Sequence, residues 1–177
     1  ADTDKKIGLR FTDIVQKART GTLDDWASQA HSSLALILLL DQFTRNLFRG
    51  SPKAYSGDPR ALIYLRHIIK EQLDTSLHVV ARIWLYHPLH HSEFLDDQDH
   101  GGELLGKLLK VSHSRWHDYI NLSIVGWKGH REIIKSYGRF PHRNFVLGRN
   151  NTSREEKFLE LEGRSFGQGP NRIKDST

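Results

Sequence analysis

Apolar positions along the chain recur at intervals of three and four residues, the period of α-helices that each bury one face. Ile7, Phe11, Ile14, Val15 and Ala18 keep this spacing, and Gly21 ends the helix they predict. Asp24 and Asp25 precede Trp26 in a short connector. Leu34 to Phe48 reads as one long apolar helix closed by Gly50-Ser51-Pro52. Asp58-Pro59 predicts a helix start, with Asp58 as N-cap and Pro59 in the first turn, ahead of a buried face of Ala61, Leu62, Leu65, Ile68 and Ile69. Val79 to Leu85 belongs to another helix, which His87-Pro88 is expected to break. Ser92 is placed to cap the next, with Glu93, Asp96 and Asp97 suited to the positive helix end. Gly101-Gly102 is expected to weaken or split it before Leu104, Leu105, Leu108, Leu109 and Val111 resume the pattern. Trp116 to Tyr137 forms a further helical stretch ended by Gly138, and Thr152 to Glu156 opens a last one.

Runs of alternating β-branched residues between hairpin turns are nearly absent. The predicted fold is therefore all-α, an array of about six to eight helices packed in antiparallel pairs. It forms a single domain over residues 1–166, with a flexible tail over 167–177.

Composition narrows the function. The 177 residues carry 37% hydrophobic and 27% charged side chains, enough for a core in one soluble domain. Cysteine is absent, so no disulfide framework exists and nothing points to an oxidising compartment. The longest apolar run, Leu34–Leu40, is too short to span a membrane, and residues 1–10 carry no signal-peptide core, so a cytoplasmic location is expected. The net charge is +5, but Lys and Arg are dispersed and no nucleic-acid motif appears, so a nucleic-acid partner is not expected.

Three polar clusters interrupt the apolar helices. Asp41-Gln42-Phe43-Thr44-Arg45-Asn46-Leu47-Phe48-Arg49-Gly50 places Gln42, Arg45, Asn46 and Arg49 on one helix face, and Asp41 within reach of Arg45. His90-His91-Ser92-Glu93, followed by Gln98, offers imidazole and carboxylate for acid–base chemistry near neutral pH. The same segment reads equally as a capped helix start. Adjacent histidines cannot easily converge on one ion and the helical zinc spacing is missing, so no metal is assigned. The third cluster runs from His130 through Arg139-Phe140-Pro141-His142-Arg143-Asn144 to Arg149. Phe140-Pro141 forces an extended backbone, so a helix could begin near His142 and present free N–H groups to an anion. Its arginines suit a carboxylate or phosphate, and equally a clamp onto Glu93, Asp41 or helix carbonyls.

Together these segments resemble a known family, marked by DQFxRNxFRG, by PLxHSE with a following Gln, and by HR…GRFPHRN…LGR…T..E. Here they stand as Asp41–Gly50, Pro88–Glu93 with Gln98, and His130–Arg149 with Thr152 and Glu155. Over roughly residues 7 to 166 the chain is similar to domain-of-unknown-function family 924. The resemblance implies a tetratricopeptide-like all-helical fold and brings no accepted activity. Thr44 stands where the family usually carries proline. The family's Trp-Phe opening segment does not appear upstream of Ile7, so the N-terminal part of the family domain is expected to be missing.

The resulting expectation is a small enzyme or small-molecule binder that needs no cofactor. His91, Glu93 and His142 would move protons. Asp41, Gln42, Arg45, Asn46, Arg49, Gln98, His130, Arg139, Arg143, Asn144 and Arg149 would hold an anionic substrate. The alternative is a module that binds a peptide or protein partner along a helical groove lined by Tyr55, Tyr64 and Arg66.

Overall fold

The structure, a computed structural model, describes residues 2–162; the expected tail and the end of the expected domain lie outside them. The regular elements among the described residues are all helical. They are α1 (Asp2–Thr20), α2 (Ala30–Ile37), α3 (Thr44–Leu47), α4 (Asp58–Lys70), α5 (Val79–His91), α6 (Leu95–Val111), α7 (His117–Tyr137) and α8 (Ser153–Glu162). Short 3-10 turns lie between several of them. This is the expected all-α array, and the tetratricopeptide-like description is consistent with it.

The long apolar helix begins at Ala30 rather than Leu34, and it is not uniform. A π-helical turn, Leu38–Phe43, joins α2 to α3. Such wide turns cluster at functional sites because they tilt backbone carbonyls out of the ladder. Here the Thr44 hydroxyl donates to Leu40 O at 2.6 Å, and Arg45 Nη1 donates to Asp41 O at 2.7 Å. The turn thus aims Asp41 and Arg45 inward from an otherwise apolar helix.

Glycine at position 57 lets α4 start against this turn. A Cβ there would stand 2.1 Å from Leu40 O, so any larger residue would push the elements apart. Asp58 therefore opens α4 but does not cap it: the N-cap is Gly57, without a side-chain bond. The Asp58 carboxylate is delivered to Arg45 instead.

Two expected breaks do not occur. α5 continues through Pro88 to His91, and the His87 ring bonds the backbone of Ile83 and of Trp84, whose carbonyl is the one that Pro88 leaves without its helical N–H. α6 continues through Gly101-Gly102, because Gly101 is where α7 comes closest. A Cβ on Gly101 would lie 2.0 Å from Trp127 Cζ2. Trp127 Nε1 donates to Gln98 O at 3.1 Å and Arg131 pairs with Asp99, which fixes α6 and α7 as an antiparallel hairpin. The predicted start of α8 is a reciprocal capping box. Glu155 N donates to Thr152 Oγ1, and Thr152 N donates to Glu155 Oε2.

The core lies in three clusters. Ile37, Leu65, Tyr86, Leu89, Leu105 and Trp127 centre the largest, among α2 and α4–α7. Val15, Leu36, Leu40 and Ala61 join α1 to α2 and α4. Ile133, Ile134, Phe140 and Phe158 hold the end of α7 to α8. Each fully buried Leu, Ile or Phe contributes about 1.5–3 kcal/mol of transfer free energy.

Candidate functional site

The three polar clusters meet where the π-turn and α3, the C-terminal end of α5, the middle of α7 and the turn Pro141–Arg143 come together. They enclose a cavity of about 240 Å³ lined by Gln42, Arg45, Arg49, Tyr55, His91, His130, His142 and Arg143.

Arg45 is buried and serves two acids. Its Nη1 lies 2.9 Å from Asp41 Oδ1, and the guanidinium fork meets both oxygens of Asp58 at 2.9 Å. One guanidinium between two carboxylates leaves a surplus negative charge. Burial and the nearby Asp41 hold the Asp58 carboxyl above its ordinary range, against the pull of Arg45. Burial works against the Asp41 charge as well, but Arg45 and His91 outweigh it, so Asp41 stays ionised.

His91 stands on the other side of Asp41, with Nδ1 at 2.9 and 2.8 Å from its two oxygens. Burial pushes the imidazole down to about 3, with Asp41 opposing and Arg45 assisting. The pair is therefore a carboxylate and a neutral imidazole at neutral pH. Nδ1–H donates to Asp41, which fixes the tautomer and leaves Nε2 to accept a proton. His142 lies beside Arg143, and burial with that neighbouring charge pushes it to about 3. His130 completes the imidazole wall and stacks on His90 at 3.8 Å, which in turn stacks on Trp127 at 4.6 Å.

Arg143 is 6% exposed, and among the described residues no carboxylate meets it. Its Nη2 donates to His91 O at 2.9 Å, and its Nε has no acceptor. The guanidinium carbon lies 4.8 Å from the Tyr55 ring centre and 4.4 Å from that of Phe140. Burial and nearby Arg45 pull its pKa down. A buried cation without a carboxylate is costly unless something else answers it.

Of the remaining expected site residues, Gln42 and Arg49 line the cavity, others are tied behind its walls, and Arg139 lies apart. Glu93 does not face the cavity: both its oxygens take Arg149, at 2.7 and 3.0 Å, and Oε1 also accepts Phe140 N at 2.8 Å. Gln98 Nε2 donates to the carbonyls of Leu89, His90 and Ser92, closing the end of α5. Asn144 bonds Asn151. Gln42 and Asn46 bond each other, and Asn46 and Arg49 both donate to Asp4 on α1. Arg139 pairs with Glu155 at 2.6 and 2.8 Å in a separate surface depression. No helix begins at His142. Pro141–Arg143 is a single 3-10 turn, and the N–H groups of Arg143 and Asn144 are used by Phe140 O and Pro141 O.

A family model described as bacterial protein of unknown function, DUF924, matches residues 1–163. The chain belongs to the DUF924 family. A solved structure, of a protein of unknown function from Agrobacterium tumefaciens, is similar to this DUF924 chain at 35% identity with a TM-score of 0.79, over 90% of this chain and 84% of that one. Comparison with the curated proteins gives no match. The three polar segments of this chain thus supply most of the cavity wall and its supports.

Sequence reasoning missed two members of this DUF924 site. Tyr55 lines the cavity rather than a distant groove, with its hydroxyl buried and without a partner among the described residues. Asp58 was expected only as a cap. Tyr64 and Arg66, the other groove candidates, are tied to Asp24 and Asp97. Among the described residues no group of three or more His, Asp or Glu is set to hold a metal ion, and no helix is long and apolar enough to cross a membrane.

Proposed function

We propose that this protein is a small cofactor-independent enzyme, or a small-molecule binder, whose cavity holds an anionic carboxylate or phosphate group beside an Asp41–His91 acid–base dyad. The observation that carries this reading is Arg143: a buried guanidinium on the cavity wall that no carboxylate among the described residues contacts directly. An anion seated there would give it that direct contact. It would also raise the proton affinity of the neighbouring imidazoles, since an added negative charge favours their charged form. The dyad would then exchange a proton with the substrate through His91 Nε2, with Asp41 orienting the ring and stabilising the imidazolium. Glu93, Gln98 and Arg149 brace the walls rather than react. Isomerisation, elimination, cyclisation and hydrolysis of an anionic substrate all fit this machinery.

The test is a calorimetric screen of small carboxylates and phosphates against the wild type and Arg143→Gln, with folding checked by circular dichroism. The reading expects saturable binding that weakens at least tenfold in the variant. Equal binding by both proteins would sink it.

A further inference from the structure

We propose that the ligand of the pocket is a small monocarboxylate and that its binding carries one proton onto Nε2 of His91. The inference rests on the anion-pocket reading and adds ligand class and proton linkage to it.

Charge favours a monocarboxylate. Arg45, Arg143 and Arg149 are set against Asp41, Asp58 and Glu93 around the cavity, so the charges balance while Asp58 is ionised. Arg49, at the rim, is balanced by Asp4. A monocarboxylate exceeds this balance by one charge and a dianion by two. One proton restores neutrality for the monocarboxylate alone, and an unbalanced charge in a site this buried is strongly disfavoured.

The proton has one well-placed acceptor. His91 already faces the Asp41 carboxylate through Nδ1, and its ring lines the cavity. A ligand carboxylate on the cavity side would place the imidazole between two anions. The other groups facing His91 do not compete well. His87 and His90 lie on its own helix, and burial favours their neutral forms. His130 faces it from α7 at 6.5 Å between ring centres. His142 sits beside the Arg143 cation, which opposes a second positive charge. Arg45 also opposes a charge on His91, and the two carboxylates would have to outweigh it.

Shape fixes the seat of the anion. The Tyr55 and Phe140 rings lie over Arg143, which leaves its N–H edge as the donor surface. A two-oxygen acceptor matches that edge, a carboxylate or a phosphate alike, and charge selects the carboxylate.

The experiment is titration calorimetry of the full chain with acetate, propionate and sulfate, a dianion throughout the range, from pH 5.5 to 7.5 at constant ionic strength. Two buffers of different ionisation enthalpy report the protons taken up. Carboxylate affinity is expected to fall as pH rises, by up to about tenfold per unit, with up to one proton bound per ligand. Sulfate is expected to bind more weakly than propionate. His91→Asn, whose amide can still donate to Asp41, should lose the proton uptake and the pH slope, whereas His142→Asn should keep both. Carboxylate binding without pH dependence or proton uptake overturns the proton linkage, and so does any uptake that survives His91→Asn, as it would if Asp58 took the proton. Tighter binding of sulfate overturns the ligand class while leaving an anion pocket standing. No binding of any probe, with Arg143→Gln indistinguishable from wild type, overturns the pocket reading itself.

Discussion

Removing Arg45 should unfold the protein more readily than removing any exposed arginine, and more so at neutral than at acidic pH. Arg45→Met keeps the length and apolar body of the side chain but deletes the charge between Asp41 and Asp58. Asp41 is 2% exposed, and the variant would leave it facing only His91. Asp58 would lose both of its 2.9 Å bonds. Breaking a buried pair by deleting one partner costs about 3–5 kcal/mol, a large part of the total of about 5–15 kcal/mol that a domain commonly has. For a chain of this size that corresponds to a fall in Tm of roughly 6–20 °C. Protonation relieves the cost. Without Arg45 both carboxyls have folded pKa values above their unfolded values, so the stability they contribute is present at low pH and lost as pH rises through the folded values. The difference between variant and wild type, measured by urea unfolding, should therefore shrink from pH 7 to pH 5. A loss below about 1 kcal/mol at pH 7, the size of an exposed pair, would refute the reasoning. So would an equal loss at both pH values.

Glu93→Gln keeps the volume but breaks the charged fork to Arg149, and should cost about 1–3 kcal/mol in chemical unfolding; an unchanged midpoint would show that the clamp holds nothing. Gly101→Ala places a methyl group against Trp127 and should cost about 1–3 kcal/mol, read as a lower Tm with altered tryptophan fluorescence, whereas Gly102→Ala, with open space around it, should be harmless. His91 and His142 are both pushed to about 3, so between that value and about 6.5 the unfolded chain binds more protons than the fold does. Stability should therefore fall as pH drops from 7 towards 4, although Asp58 works in the opposite direction, and His142→Asn should flatten the fall. A urea midpoint that rises on acidification would contradict the neutral-imidazole assignment.

The helices were legible because each buries one face, and Leu65, Ile68, Leu105 and Ile134 stand at the spacing that burial requires. Pro88 and Gly101 misled for one common reason. Local propensity marks both as breaks, but side-chain contacts override it: the His87 ring bonds the carbonyl that Pro88 frees, and Gly101 makes room for Trp127. The motifs marked the site correctly as a region, yet not residue by residue. Glu93 and His91 look equally chemical in sequence, separated by one serine. Only the fold turns one to Arg149 and the other to Asp41. Asp58 and Tyr55 carried no local signal, since a helix-opening Asp and a Tyr after a Pro turn have ordinary explanations. A pair such as Arg45–Asp58 depends on Gly57 admitting α4 to within reach of Leu40, which no spacing rule encodes.

The most direct test of the central claim is a crystal structure of the protein grown near pH 6 in saturating propionate. The account predicts a carboxylate in the cavity within hydrogen-bonding distance of the Arg143 guanidinium and the His91 ring, with Asp41 still on Nδ1. A cavity holding only water, or propionate bound solely at surface arginines such as Arg139, would contradict it.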